Sequence, residues 1–236
     1  MISIIIPAHN EEANLKYLIP YLEHITKEKA VEIIVVLSAT NSDNSVQIPC
    51  SLTTTIVTCE QSGRAIQMNC GTAQAKGDYL VFLHADVKPP KNFIVDIQQA
   101  FKARYEAGFF SYKFDKENFL LRINASFTAK DSLFTGGGDQ CLFIKKTVFT
   151  DLGKFNEQQV IMEDFEFFKR MKKNRVNYTI IKNDLIVSAR KYETNSYLKV
   201  NASNLLLVLL FKYGYPPEKL KSLHHKLLKI PYTNKQ

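Results

Sequence analysis

Apolar residues recur along this chain in two rhythms. Residues 2–6, 31–37 and 79–83 are short, predominantly apolar runs, as in strands buried on both faces. Residues 53–58 join them by the β-propensity of their Thr, Ile and Val side chains. Between these runs the spacing turns helical. Leu15, Leu18, Ile19, Leu22 and Ile25 predict a helix over 11–27, with Asn10 as its N-cap and glutamates in its first turn. Residues 64–75 predict a second helix, and 91–103 a third, opened by Pro89-Pro90. The order strand, helix, strand, strand, helix, strand, helix predicts a largely parallel sheet with helices on both faces. In such sheets ligands bind beyond the carboxyl ends of the strands, which singles out the loops starting at Pro7, Ser38 and His84.

The second half is less regular. Residues 108–114 alternate aromatic and polar side chains like a half-exposed strand, and 118–133 read as helical. A glycine run at 136–138 precedes a short strand at 140–144, a short helix at 146–152 and an amphipathic helix at 163–173. Strands are expected near 178–181 and 185–189. Two helices, 196–213 and 218–228, close the chain on either side of Pro216-Pro217.

Composition narrows the picture. With 236 residues, 45% of them hydrophobic, the chain supports one sizeable core. The apolar start at 1–7 is short and lacks a basic flank, so it reads as a strand and not as a signal peptide. No run reaches the roughly 18–20 apolar residues of a membrane span. The four cysteines, Cys50, Cys59, Cys70 and Cys141, are too widely spaced for a zinc or redox motif and read as small core residues in a reducing compartment. Net charge is +8, and the excess gathers at 169–175 and 219–229. That suits phosphate-bearing partners or an anionic membrane surface. No zinc-finger, basic-zipper or aromatic RNA-binding signature accompanies it, so no nucleic-acid partner is expected.

Several polar groups stand where ligands would bind. Asp86, in His84-Ala85-Asp86, either caps the turn before Pro89 or holds Mg²⁺ or Mn²⁺ beside a diphosphate. The turn from Pro7 to Glu12 either caps a helix or grips a base and ribose through groups such as His9 and Glu11. His9 and His84 are either hydrogen-bonded structural histidines or ligands. Arg64 is a helix-end surface residue or a bidentate partner for phosphate. The glycines at 136–138, ahead of Asp139 and Gln140, make a tight turn or admit a ligand close to the backbone. Glu163 and Asp164 open a helix, where the dipole favours negative charge and where a carboxylate can act as a general base. Arg190 is a surface charge or a phosphate clamp. Residues 197–211 form a packed helix or an interfacial one that approaches a lipid-linked acceptor.

Taken in order, these motifs resemble the inverting glycosyltransferases of family 2, which have the GT-A fold. Ile5-Ile6-Pro7-Ala8-His9-Asn10-Glu11-Glu12 is similar to that family's first strand and nucleotide loop. Gly63-Arg64-Ala65 to Asn69, Ala75-Lys76-Gly77-Asp78 and Phe82-Leu83-His84-Ala85-Asp86 resemble its central block and metal-binding motif. Gly138-Asp139-Gln140, Phe143 and Met162-Glu163-Asp164 resemble its acceptor side and catalytic helix. The likeness covers about residues 2–195 and is strongest to a bacterial subgroup of small, stand-alone members.

The resemblance implies a single α/β domain over 1–236, with a nucleotide-binding half at 1–105, an acceptor and catalytic half at 106–195 and C-terminal helices at 196–236. It implies a nucleotide-sugar donor, a UDP-sugar first, and Mg²⁺ or Mn²⁺ held by Asp86 with His84 beside it. Asp164 would be the general base, next to Glu163. Pro7, His9 and Glu11 would line the nucleotide pocket, and Arg64 would approach the ribose or phosphates. Asp139 and Gln140 would lie near the sugar or a hydroxyl acceptor, and Arg190 near the diphosphate. The expected place of action is the cytoplasm, peripheral to the inner face of the membrane.

Two positions depart from the family pattern. His84 replaces the first acid of Asp-x-Asp, and Leu37-Ser38 stands where the family places the Asp that reads uracil, with Asp43 the nearest acid. Two rival readings follow: a nucleotidyltransferase, or a nucleotide-sugar-binding protein without activity. The first expects a glycine-rich loop with Arg and Lys after the first strand, whereas Ala8-His9-Asn10-Glu11 is acidic and has no glycine. Against the second stand Asp86 and Asp164.

Overall fold

The β-branched run at the start of the chain lies inside the sheet, not at its edge. In a computed structural model that describes residues 1–229, β1 (Ile2–Ala8) is buried along its whole length. It pairs in parallel with β2 (Val31–Leu37) on one side and β4 (Tyr79–Phe82) on the other, with Ile4 opposite both Ile33 and Val81. β3 (Thr54–Thr58) extends the parallel set beyond β2. Beyond β4 the sheet turns mixed. β7 (Leu142–Lys145) runs antiparallel between β4 and β6 (Ala107–Phe114), β6 runs parallel to β8 (Tyr178–Val187), and the two-residue β5 (Val87–Lys88) ends the sheet antiparallel to β8. The expected α/β architecture holds: the eight strands follow the order β3-β2-β1-β4-β7-β6-β8-β5 and are mostly parallel.

Strand alternation assigns each helix its face. Ile4 and Ile6 share a core with Leu15, Ile19 and Leu22 of α1 (Glu12–Thr26) and with Phe93 and Ile97 of α3 (Phe93–Lys102). Ile5 points to the other face, where it meets Met68 of α2 (Arg64–Gln74) and Phe167 of α6 (Glu163–Lys173) in a second core. The approach of α2 is close: a Cβ on Gly71 would stand 2.5 Å from Cγ2 of Ile5. Phe149, in α5 (Lys146–Asp151), and Phe155 bridge Phe82 to Phe167 with ring centroids 4.9–5.2 Å apart, so α6 is anchored onto β4.

Some local expectations fail for non-local reasons. Asn10 is not an N-cap: it adopts φ 55° and its side chain accepts from the Ser42 backbone N–H. Asp43 caps α1 from across the loop, accepting from the Glu12 backbone N–H at 2.7 Å. The helix expected at 118–133 stops early, as α4 (Phe119–Ser126) followed by a 3₁₀ turn. Thr128 ends it by donating to the Ala125 carbonyl and accepting from the Tyr112 backbone N–H of β6. Residues 107–111 are buried, not half-exposed, because β6 sits between β7 and β8. The two strands expected near 178–189 form the single β8, with a register irregularity opposite Ser111. All four cysteines are free, and Cys50 is exposed instead of in the core. The short α7 (Lys191–Thr194) leads into α8 (Tyr197–Lys212) and α9 (Pro217–Leu227). No helix among the described residues is long and apolar enough to cross a membrane.

Candidate active site

Three distant segments meet at the carboxyl end of the parallel strands. Asp86 follows β4 and precedes β5, whose pairing of Val87 with Val187 draws the end of β8 alongside. Arg190, three residues past β8, then reaches Asp86, its Nη2 donating to Oδ2 at 3.0 Å. The same nitrogen donates to Glu11 Oε1 at 3.2 Å, at the cap position of α1 just beyond β1. One guanidinium thus ties together two carboxylates from two strand ends.

Arg64 comes from the other face. Its helix α2 is fixed by Gln67, a buried side chain whose Nε2 donates to carbonyls at the ends of β1 and β2, Ala8 O at 2.8 Å and Val36 O at 2.7 Å. Arg64 therefore opens at the sheet edge, with Nη1 3.2 Å from Glu163 Oε1. That oxygen is buried and finds no hydrogen-bond partner among the described residues, so the ion pair is its only compensation. Glu163 raises the Arg64 pKa most, against the opposing effect of burial, and Asp164, Asp139 and Asp86 add to it. One cation is thereby shared among carboxylates from both halves of the domain.

Asp164 enters from α6. Met162 turns the chain into the helix at φ 61°, and Phe167 and Phe168, three and four residues on, pin that helical face to the aromatic core. Opposite it lies Gly138. A Cβ there would stand 2.6 Å from Asp164 Oδ2, 2.3 Å from His84 Cε1 and 2.5 Å from His84 Nε2. Both side chains therefore close on one backbone position, which only glycine fits. His84 turns its Nδ1 to Asp139 Oδ1 at 3.6 Å.

The charges are strongly perturbed. Burial, reinforced by Glu163, pushes Asp164 up to about 7, against the pull of His84 and Arg64. Desolvation also opposes ionisation of Asp139, but the hydrogen bond and charge of His84, with Lys191 and Arg64, bring it down to about 2. His84 is raised: burial and Arg64 oppose its proton, and Asp139 and Asp164 outweigh them.

The structure thus gathers Glu11, Arg64, His84, Asp86, Asp139, Glu163, Asp164 and Arg190 around one edge of the sheet. It treats the remaining candidates differently. Pro7 is buried within β1, and His9 is exposed with no hydrogen bond among the described residues. Gln140 faces inward, its Oε1 accepting from the Gly136 N–H at 2.9 Å and its Nε2 donating to the Thr128 carbonyl at 3.0 Å, so it staples the glycine loop. Ser38 is buried and joined to Ser62 and Thr40 through hydroxyls at 3.0 and 3.2 Å, while Asp43 is committed to capping. Sequence reasoning missed Gln67, although it lies in the quoted Gly63–Asn69 block. It also missed His224 of α9, which burial and the nearby cations Lys191 and Arg64 push down to about 4. Nothing local marks His224. Among the described residues no three acidic, histidine or cysteine side chains form a set able by itself to hold a metal.

Known proteins share this fold. The family described as Glycosyl transferase family 2 matches residues 3–175. Among solved structures, the chain is similar to Staphylococcus aureus TarS 1–349 in complex with UDP-GlcNAc, at 14% identity and TM-score 0.66, covering 96% of this chain and 71% of that one. It is also similar to the mannosyltransferase PcManGT from Pyrobaculum calidifontis in complex with GDP-Man and Mn²⁺, at 15% identity and TM-score 0.64, covering 96% and 68%. A Drosophila β1,4-galactosyltransferase 7 mutant in complex with manganese, UDP-Gal and xylobiose gives 16% identity and TM-score 0.52, covering 77% and 65%. The match to another TarS 1–349 structure spans 65% of that chain, and that to the longer TarS chain 42%. Among curated proteins none matches the sequence.

Proposed function

The chain belongs to glycosyl transferase family 2, and on that premise we propose that it moves a sugar from a nucleotide-sugar, a UDP-sugar first, to a hydroxyl acceptor with inversion at the anomeric carbon. The observation that carries this reading is the position of Arg64 among Glu163, Asp164, Asp139 and Asp86. It supports a single cleft with a phosphate-binding side and a base side. The acceptor is a lipid-linked or cell-envelope glycan precursor, met at the cytoplasmic face of the membrane.

The proposed chemistry needs one displacement. The acceptor hydroxyl gives its proton to the Asp164 carboxylate as its oxygen bonds to the anomeric carbon. The bond from that carbon to the diphosphate oxygen breaks, and its electron pair leaves with the nucleotide. A base with a pKa of about 7 suits proton transfer near neutrality. Arg64 and Arg190 receive the charge that builds on the leaving diphosphate. Glu163 positions Arg64, while Glu11, His9 and the end of β1 border the nucleotide. Asp139, anchored to His84, faces the sugar.

The residues suit a divalent cation. Glu11 and Asp86 already share one cationic group, the Arg190 guanidinium. Mg²⁺ and Mn²⁺ are commonly held by one or two carboxylates with phosphate oxygens in the remaining positions. Asp86 would hold the ion, with Glu11 as the neighbouring acid; His84 is turned toward Asp139. A metal bound there supplies Lewis-acid stabilisation of diphosphate charge.

The test is release of free nucleotide from a panel of UDP- and GDP-sugars with Mn²⁺ and a hydroxyl acceptor, with the product anomer read by NMR. Transfer with inverted configuration is expected. Retention of configuration would remove the single-displacement mechanism. Sugar binding without transfer would favour the inactive-relative reading, and pyrophosphate release from a nucleoside triphosphate the nucleotidyltransferase one.

A further inference from the structure

Water-facing apolar side chains concentrate on two neighbouring helices. Along α4 and into the 3₁₀ turn that follows it, Phe119, Ile123 and Phe127 repeat every four residues and are 67%, 40% and 59% exposed. On α8, Leu198, Leu205 and Leu209 share a face and are 78%, 42% and 40% exposed. Val200, Leu207 and Val208 are buried on the other side of α8, so the helix carries apolar side chains on both its packed and its exposed faces.

The two stripes adjoin. Asn124 of α4 donates to Asn201 Oδ1 of α8 at 3.0 Å and to the Tyr192 hydroxyl at 2.9 Å. Asn124 lies one turn after the exposed Leu120 and one before Phe127, while Asn201 lies one turn after Leu198 and one before Leu205. The asparagine pair is therefore a polar seam with apolar side chains along both of its banks. Exposed apolar patches of this kind mark interaction surfaces.

The surrounding charge selects the partner. Residues 197–229 carry six lysines and a single acid, Glu218. Residues 119–130 carry Arg122 and Lys130 and no acid. A second copy of the chain would bring like charges together at this face. An anionic bilayer would accept both the apolar stripes and the cations. The exposed Tyr213 and Tyr215 at the end of α8 suit the headgroup level.

We propose that the outer faces of α4 and α8 dock this protein onto an anionic lipid bilayer. The inference deepens the membrane-side placement proposed above and stands on the surface alone. Because α8 begins seven residues after Arg190, docking holds the edge of the cleft next to the bilayer, where a lipid-linked hydroxyl is presented.

Flotation of the full chain with phosphatidylcholine vesicles, with and without phosphatidylglycerol, tests the idea. Binding to the anionic vesicles is expected, and Phe119→Glu with Leu198→Glu should lower it about tenfold. These two side chains are the most exposed of the stripes, so the melting temperature and UDP binding should stay those of the parent. A parent that remains in solution with both vesicle types overturns the proposal, as does a variant that floats equally well. A parent that light scattering shows to be a dimer, split by the same substitutions without any vesicle binding, assigns the face to a second copy instead. Vesicle binding without binding of any nucleotide-sugar in the panel would leave this inference standing and remove the proposed donor reading.

Discussion

The Arg190 guanidinium lies 3.0 Å from Asp86 Oδ2 across 104 residues of chain. That contact, with Glu11 on the same nitrogen, makes Arg190 the group that joins three strand ends. Arg190→Ala should weaken UDP binding about tenfold and lower kcat about 10²-fold, read by calorimetry and nucleotide release. Arg190→Lys should recover only part, since an ammonium lacks the planar fork of a guanidinium. Full recovery by lysine would mean that a point charge suffices.

Asp164 titrates at about 7, so transfer should fall about tenfold per pH unit below that value and level off above it. Asp164→Asn should abolish this limb and lower kcat about 10³-fold. The stability effect has the opposite sign. The folded pKa lies above the ordinary 3.8, so ionising Asp164 costs the native state stability as pH rises from about 4 through 7. Asp164→Asn should therefore melt higher than the parent at pH 8 and like it at pH 4. A variant that keeps the alkaline plateau rate removes Asp164 as the base.

Gly138→Ala should cost about 1–3 kcal/mol and most of the activity, because its Cβ meets His84 at 2.3 Å and Asp164 at 2.6 Å. Gly137→Ala is the control, since its Cβ has no such neighbour closer than 3.5 Å. Equal losses in thermal melting and kcat for the two variants would contradict the close approach at Gly138.

Gln67→Leu removes the donor to both the Ala8 and Val36 carbonyls. Urea unfolding should show a loss of about 1–3 kcal/mol for the carbonyls left unpaired. The KM for donor should rise as well, since the same bonds place Arg64. An unchanged KM in a destabilised variant would confine Gln67 to the fold.

Mn²⁺ alone should leave the melting temperature nearly unchanged, because the protein brings too few donors. Mn²⁺ with UDP should raise it by about 4 °C or more, and EDTA should reverse the gain. A full shift with UDP in EDTA would show that Arg64 and Arg190 hold the diphosphate unaided.

Much of the frame was legible because burial writes itself as local period. Ile2–Ala8 and Val31–Leu37 are apolar but for Ser3 and Glu32, and Leu15 to Ile25 repeats at helical spacing. What escaped depends on partners far along the chain. Asp43 displaces Asn10 as the cap, Thr128 of the 3₁₀ turn stops α4 by bonding to β6, and Val87–Lys88 becomes a strand only because β8 lies beside it. The site followed the same rule. The motifs named Asp86, Asp164, Arg64 and Arg190, but no spacing assigned Gln140 an inward role or brought His224 near Arg64.

The buried hydroxyl of Ser38, linked to Ser62 and Thr40, occupies the place after β2 where the family has a carboxylate. A carboxylate can only accept hydrogen bonds, so it favours bases that present an N–H and repels those that present an oxygen there. A hydroxyl rotates to do either. If that position borders the base in the proposed donor site, a neutral hydroxyl in place of a charge should let UDP- and GDP-sugars compete on closer terms than a carboxylate would allow.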